Sequence, residues 1–138
     1  MIDDARKIVC ITGGDGCGKS TQIEKLCPRI EAEANVKVAA VTIWDPLRDP
    51  SMREATLFRD PREIDRYLSH LEPKGRTLFL YHSLCHAIAL AERREPDVLL
   101  MNGYWYKYFA TELAYGGSAA ELRPLSVIFP RLAFSSCA

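Results

Sequence analysis

The feature that most constrains this chain is a glycine-rich segment near its amino terminus, Gly13-Gly14-Asp15-Gly16-Cys17-Gly18-Lys19-Ser20-Thr21. The segment fits G-x-x-x-x-G-K-[ST], the phosphate-binding loop, and its lysine at position 19 does not fit the dinucleotide pattern G-x-G-x-x-G. An apolar run at residues 8–11 precedes the segment and a helical pattern follows it, as the motif requires. The sequence therefore predicts a site for a nucleoside triphosphate.

Several residue types in this segment are suited to holding phosphate. The glycines let backbone N–H groups turn toward an anion, and the positive end of the following helix dipole adds attraction. The Lys19 ammonium can reach the β- and γ-phosphates, and the Ser20 hydroxyl can hold Mg²⁺. We therefore expect residues 13–21 to bind ATP with Mg²⁺.

Composition argues against several classes of partner. Lysine plus arginine and aspartate plus glutamate both number 18, so the near-zero net charge favours neither nucleic acid nor an anionic membrane. No apolar run approaches the length of a membrane span, and the acidic first residues are not signal-like. Five scattered cysteines without a C-x-x-C pair fit a reduced, cytoplasmic protein. The 138 residues, without repeats or a linker, are expected to form a single domain over residues 1–138.

Alternating strand and helix patterns predict an α/β fold with a parallel sheet. Pro28 should kink or shorten the helix that follows the loop, and Asn35 should end that helix. Ser118 and Glu121 predict a capping box at the start of a late helix, while residues 125–134 fit either a helix or a strand. Strands are predicted at residues 8–12 (buried on both faces), 36–43 and 98–102, and helices at about residues 52–59, 62–71, 77–94 and 104–115.

Polar residues follow the predicted strands and form the expected second half of the site. A phosphate-binding-loop enzyme usually has an acid after a second buried strand, but here the residue is Asn102, whose amide carries no charge. Asn102-Gly103 also fits a simple turn. Because ligands of open α/β sheets bind beyond the carboxyl ends of the strands, we expect Asp15, Asp45 and Asn102 at one edge.

The loop resembles that of the thymidylate kinases, Glu-Gly-x-Asp-Gly-x-Gly-Lys-Ser-Thr, and Asp15 is the most specific match. The resemblance covers roughly residues 7–133 and implies a P-loop NTPase-like sheet in three α/β/α layers, with transfer of the ATP γ-phosphoryl to dTMP. It implies that Asp15 contacts the acceptor sugar, that Asp45 orients the acceptor and that Phe79 stacks on its base. The family's Asp-Arg-Tyr motif falls on Asn102-Gly103-Tyr104. Tyr104 is expected in the pocket because it starts a helix at the carboxyl end of a predicted strand.

The chain departs from the family where charge beside phosphate is expected. Asn102 replaces an acid, and Gly103 and Ser83 each replace an arginine. Since phosphoryl transfer depends on neutralising charge, we hypothesise that Lys107, four residues after Gly103, partly substitutes, a solvated lysine being the alternative. The chain also ends before the family's further strand, arginine-bearing lid and adenine-binding segment, so a truncated domain is expected, in which hydrolysis could compete with transfer.

Two weaker signals have simpler alternatives. His82 and His86 have metal-binding spacing around Cys85, but no further cluster completes a site and a buried helix is the alternative. Cys17 lies near a helix N-terminus, where a thiolate is favoured, but a small residue filling a crowded loop is the favoured explanation.

The sequence thus predicts a thymidylate kinase-like phosphotransferase that uses ATP, Mg²⁺ and a deoxynucleoside monophosphate. Lys19 and Asp15 are the predicted catalytic residues, and Ser20 is the metal ligand. The alternative is a non-catalytic relative that binds nucleotide without turnover, and a motor-type or signalling ATPase is a weaker third hypothesis. The oligomeric state stays open, with a homodimer among the options.

Overall fold

The computed structural model describes residues 7–52 and 60–127, which form a small parallel sheet flanked by helices. The strands are β1 (Lys7–Ile11), β2 (Val38–Val41) and β3 (Val98–Asn102), in the order β1-β3-β2. The predicted α/β fold with a parallel sheet is therefore confirmed. All three predicted strands are present, although β2 is shorter at both ends than the predicted 36–43.

Helices connect and cover the strands. None of those in the described ranges is long and apolar enough to cross a membrane. The predicted helix at residues 52–59 falls almost entirely outside the described residues, as does most of the segment 125–134. The helices are α1 (Lys19–Ala34), α2 (Asp45–Arg48), α3 (Pro61–Ser69), α4 (Pro73–Glu92), α5 (Trp105–Ala114) and α6 (Ala119–Leu122), with 3-10 turns at Pro50–Met52 and Arg123–Val127.

Strand β3 lies between the other two and sets the position of the phosphate-binding loop. Its apolar residues 98–101 are buried, as parallel strands covered on both faces require. The register pairs Ile11 with Asn102, and the N–H of Gly103 donates to the Ile11 carbonyl at 2.9 Å. The residues that follow β1 and β3 consequently emerge side by side at the carboxyl ends of the strands.

Strand β1 does not have the predicted burial on both faces. Lys7 and Val9 are exposed, and Ile8, Cys10 and Ile11 are half-buried. Strand β1 is partly exposed because, among the described strands, it lies at the edge of the sheet and pairs only with β3. An apolar run alone does not distinguish an edge strand from a central one.

Prolines and an asparagine mark the helix ends. Helix α1 runs through Pro28 without being shortened, since Pro28 is exposed and water can reach the carbonyl one turn earlier. It ends at Asn35, as predicted, in the left-handed conformation (φ 50°). Helix α4 begins at Pro73, earlier than the predicted residue 77, because proline suits the first helical position.

Two local predictions are wrong. In α4 the buried face is formed by Thr77, Tyr81 and Leu84 with the residues that follow at helical spacing, so His82 lies exposed instead of facing the core. Cys85 is also exposed, and the described residues contain no cluster of three or more metal-ligating side chains. At α6 the Ser118 side chain makes no capping bond, because the N–H of Glu121, which a capping box would use, donates to the Ser118 backbone carbonyl at 3.1 Å.

A buried ion pair joins α4 to α5. Two nitrogens of the Arg76 guanidinium donate to the two carboxylate oxygens of Glu112, at 2.6 and 2.9 Å. The Glu112 side chain is only 2% exposed, and Arg76 also donates to the Leu68 carbonyl. This bidentate contact fixes α5, and with it the residues that α5 presents at the sheet edge.

Candidate functional site

A cleft of about 900 Å³ opens at the carboxyl ends of the strands, where the sequence places the site. It extends from the loop between β1 and α1, past the end of β2, to the first turns of α5. Among the residues that the structure describes, its charged lining consists of three cations (Lys19, Arg48 and Lys107) and four carboxylates (Asp15, Glu24, Asp45 and Asp65).

The loop adopts a backbone conformation that depends on glycine. Gly16 has φ 77° and Gly18 has φ 84°, both in the left-handed region that side chains disfavour. Gly18 is also the N-cap of α1, so this turn aims the start of the helix into the cleft. The N-terminus of α1 thereby presents unpaired N–H groups and a positive dipole end to a ligand.

The Lys19 ammonium lies within the loop that it follows. It donates to the carbonyls of Gly13 at 3.0 Å and Gly14 at 2.5 Å, and lies 3.7 Å from the Cys17 sulfur. Its side chain is 10% exposed and reaches to 4.0 Å from Asp15. The ammonium is thus positioned by the loop at the edge of the cleft, where an anion can approach it.

The Asp15 carboxylate points out of the loop and contacts α5. Its Oδ1 accepts a 2.7 Å hydrogen bond from the Lys107 Nζ, which also forms an ion pair. That bond and charge, with a smaller effect from Lys19, hold the pKa of Asp15 below its ordinary value. The structure therefore brings Lys107 to the loop, as the hypothesis about this lysine requires.

The Ser20 hydroxyl accepts a 3.1 Å hydrogen bond from the Asn102 amide. Mg²⁺ takes oxygen ligands and is usually bound by one or two carboxylates together with substrate phosphates. Here the Ser20 hydroxyl is the protein oxygen at the predicted metal position, and the Asn102 group that faces it is the amide NH2, a donor that does not bind a metal. The site therefore fits Mg²⁺ that arrives bound to phosphates, with Ser20 supplying an uncharged contact.

Asp45 lies at the far side of the cleft from the loop. Its Oδ2 accepts a 2.8 Å hydrogen bond from the Thr42 N–H, which ties the carboxylate to the end of β2. Burial raises the pKa of Asp45 above its usual value, partly offset by this bond and by Arg48 and Arg94. Asp45 thus lines the cleft as a partly buried carboxyl group.

The positions that depart from the kinase pattern have structural roles here. The Ser83 hydroxyl donates to the Ile43 carbonyl at 2.7 Å, which joins α4 to the end of β2. Gly103 has φ 81°, a conformation in which any other side chain is strained. An arginine at position 103 would therefore require a different backbone after β3.

The predicted aromatic residues do not line this cleft. Tyr104 is 1% exposed within the core, and Phe79 packs against Tyr67 with ring centroids 5.7 Å apart. In the described part of the chain, the aromatic residues that line it are Trp44 and Tyr108, neither of which is predicted from the sequence. The signal for Trp44 was its place immediately before Asp45, at the carboxyl end of β2. No sequence signal distinguishes Tyr108, because aromatic residues occupy several faces of helix α5.

Apolar and charged side chains line the cleft together. Trp44 and Asp45 are adjacent after β2, whereas the loop follows β1. The cleft can thus offer charged groups to a phosphate and an apolar surface to a ring. Its apolar and aromatic lining residues are Ile23, Val41, Ile43, Trp44, Leu68, Leu80 and Tyr108.

Comparisons of the chain with protein-family models, with curated proteins and with solved structures find no match.

Proposed function

We propose that this protein binds ATP through the loop at residues 13–21 and transfers its γ-phosphoryl group to a deoxynucleoside monophosphate, with dTMP as the acceptor. The observation that carries the proposal is the placement of Lys19 and the N-terminus of α1 at the edge of a cleft large enough for nucleotide groups. The proposal includes a P-loop NTPase-like fold of three layers, related to the thymidylate kinases.

In this proposal the loop holds the donor phosphates. The Lys19 ammonium exchanges its carbonyl contacts for phosphate oxygens and stabilises charge on the group in transfer. The loop amides cradle the phosphates, and Ser20 contacts the Mg²⁺ that ATP brings. The metal supplies further neutralisation of the phosphate charge.

The acceptor occupies the other part of the cleft. Asp15, in the loop after β1, and Asp45, at the start of α2, line the cleft and orient the acceptor, while Trp44 provides the ring surface first assigned to Phe79. Trp44 is half-buried, which leaves part of its ring to contact a base. Four described cysteines are unpaired, which supports a reducing compartment such as the cytoplasm.

A second candidate function is nucleotide binding without transfer. The observation that favours it is the contact of Asn102 with Ser20, which leaves an uncharged pair where a metal-binding acid is expected. This candidate shares the loop and the ATP site with the first, and differs only in turnover.

One assay separates the two functions. The protein is incubated with Mg-ATP and each of a panel of nucleoside monophosphates, and the products are separated by chromatography. A diphosphate formed from dTMP and lost in Lys19→Ala supports transfer, with Lys37→Ala as the matched control because Lys37 precedes β2 at the opposite edge. ATP binding without any diphosphate supports the second function, and absence of ATP binding overturns both.

A further inference from the structure

The contact between Asp15 and Lys107 joins two segments that are far apart in the chain. Asp15 lies in the loop and Lys107 on the first turn of α5, and their side chains meet at 2.7 Å. The Asp15 side chain is 92% exposed and that of Lys107 is 28% exposed. An ion pair exposed to this degree adds little to the free energy of unfolding, so fold stability does not explain it.

The charges that line the cleft relate this contact to ligand binding. Three cations and four carboxylates line the cleft among the described residues, so it carries no excess of positive charge. A triphosphate entering the loop would meet the Asp15 carboxylate, which lies 4.0 Å from the Lys19 ammonium. Lys107 neutralises this carboxylate and is the other lysine of the cleft lining.

We propose that Lys107 is a phosphate-binding residue of this cleft and that Asp15 holds its ammonium beside the loop until a phosphate replaces the carboxylate. The inference rests on the proposed function, since it assigns a second lysine to the ATP phosphates. It deepens that function by naming a charge exchange that accompanies binding.

The exchange requires only side-chain motion. A carboxylate and a phosphate are acceptors of the same kind for an ammonium, which carries three rotatable donors on a flexible stem. Lys107 lines the cleft, so its ammonium needs no backbone shift to leave Asp15 for a bound phosphate. No bond is made or broken, and the released Asp15 carboxylate becomes free to accept a hydrogen bond from an acceptor hydroxyl.

The exchange predicts opposite effects for the two partners of the pair. Lys107→Gln removes a phosphate ligand and leaves the negative charge of Asp15, so ATP binding should weaken about tenfold. Asp15→Asn removes the competing charge and frees Lys107, so ATP binding should tighten severalfold. In the transfer assay Asp15→Asn should nevertheless be slower, because it loses the group that orients the acceptor.

The test measures the affinity for Mg-ATP by isothermal titration calorimetry at low salt, without an acceptor. The variants are Lys107→Gln, Lys107→Arg and Asp15→Asn, with Lys37→Gln as an exposed lysine at the opposite edge. Displacement of ATP by inorganic tripolyphosphate, measured for each variant, shows whether the phosphate chain alone carries the effect. Melting temperatures verify that every variant is folded.

The proposal expects weaker binding of ATP and tripolyphosphate in Lys107→Gln, near-normal binding in Lys107→Arg and tighter binding in Asp15→Asn. It is overturned if Lys107→Gln binds ATP as Lys37→Gln does. It is also overturned if Asp15→Asn and Lys107→Gln weaken binding equally, because a purely structural pair would be broken by either change. Failure of the proposed function has a different signature, in which Lys19→Ala binds ATP as well as the unaltered chain.

Discussion

The side-chain amide of Asn102, at the end of β3, lies 3.1 Å from the Ser20 hydroxyl at the start of α1. This hydrogen bond links the end of β3 to the start of α1 without any charge. Asn102 pairs in register with Ile11, the last residue of β1, so the sheet places the end of β3 beside the segment that leads into the loop. The contact marks the position where charge would most strongly affect a bound Mg²⁺.

Asn102→Asp is expected to make ATP binding more dependent on Mg²⁺. A carboxylate beside Ser20 supplies a charged oxygen ligand that the amide lacks, whereas without the metal it repels the phosphates. Titration calorimetry with ATP in Mg²⁺ and in EDTA measures the ratio of the two affinities. The ratio should rise severalfold over the unaltered chain, while Asn102→Ala should not raise it. An unchanged ratio in Asn102→Asp would place the metal elsewhere.

Gly18→Ala is expected to destabilise the loop, because φ 84° at this position is strained for any residue with a Cβ. The cost is about 1–2 kcal/mol in the free energy of unfolding. Gly14→Ala is the matched control, since a Cβ there meets no atom within 4 Å. Chemical denaturation measures both variants, and Gly14→Ala should change the free energy by less than about 0.5 kcal/mol. Equal costs would show that the turn at Gly18 is not as described.

Glu112→Ala is expected to lower the free energy of unfolding by about 3 kcal/mol, because it leaves the Arg76 guanidinium without its bidentate partner. The control is Glu33→Ala, which breaks the pair with Arg29 on α1. Both side chains of that pair are largely exposed, so its loss should cost at most about 0.5 kcal/mol. Urea denaturation compares the two, and similar costs would contradict the assignment of Glu112 to a buried contact.

The pH dependence of Asp15 provides a further prediction. The bond to Lys107 lowers the pKa of Asp15 in the folded protein. The ion pair is therefore intact at pH values above the ordinary pKa of aspartate, and it is lost as the pH falls through the lowered pKa. Lys107→Gln should raise the pKa of Asp15 back toward its usual value. Carbon-13 NMR of the Asp15 carboxyl follows this titration directly. A pKa that does not rise in Lys107→Gln would exclude the contact in solution.

The sequence correctly predicted those elements whose local residue pattern matches their position in the fold. The apolar run of β3 gave its bounds correctly, because a strand with neighbours on both sides is apolar throughout. Asn35 ended α1 as predicted, since the left-handed conformation there tolerates asparagine. The relation of the loop to Asp45 and Asn102 also followed from sequence, because parallel strands bring their carboxyl ends to one edge.

The remaining features depended on packing between distant segments. Nothing local distinguishes β1 as an edge strand, and helical spacing in α4 allowed more than one apolar face. Tyr104 follows β3 as expected, but the backbone turn at Gly103 directs its ring into the core. The contact of Lys107 with Asp15 spans 92 positions, so sequence spacing alone could only place this lysine near the strand end.

NMR of the backbone amides can show whether the loop at residues 13–21 holds the phosphates of ATP. Mg-ATP is titrated into nitrogen-15-labelled protein, and the amide signals are followed. We expect the largest shifts at Gly16, Gly18 and Ser20, with smaller shifts at residues lining the cleft and none in Lys19→Ala. Shifts confined to residues outside the loop and cleft, or shifts unaffected by Lys19→Ala, would contradict it.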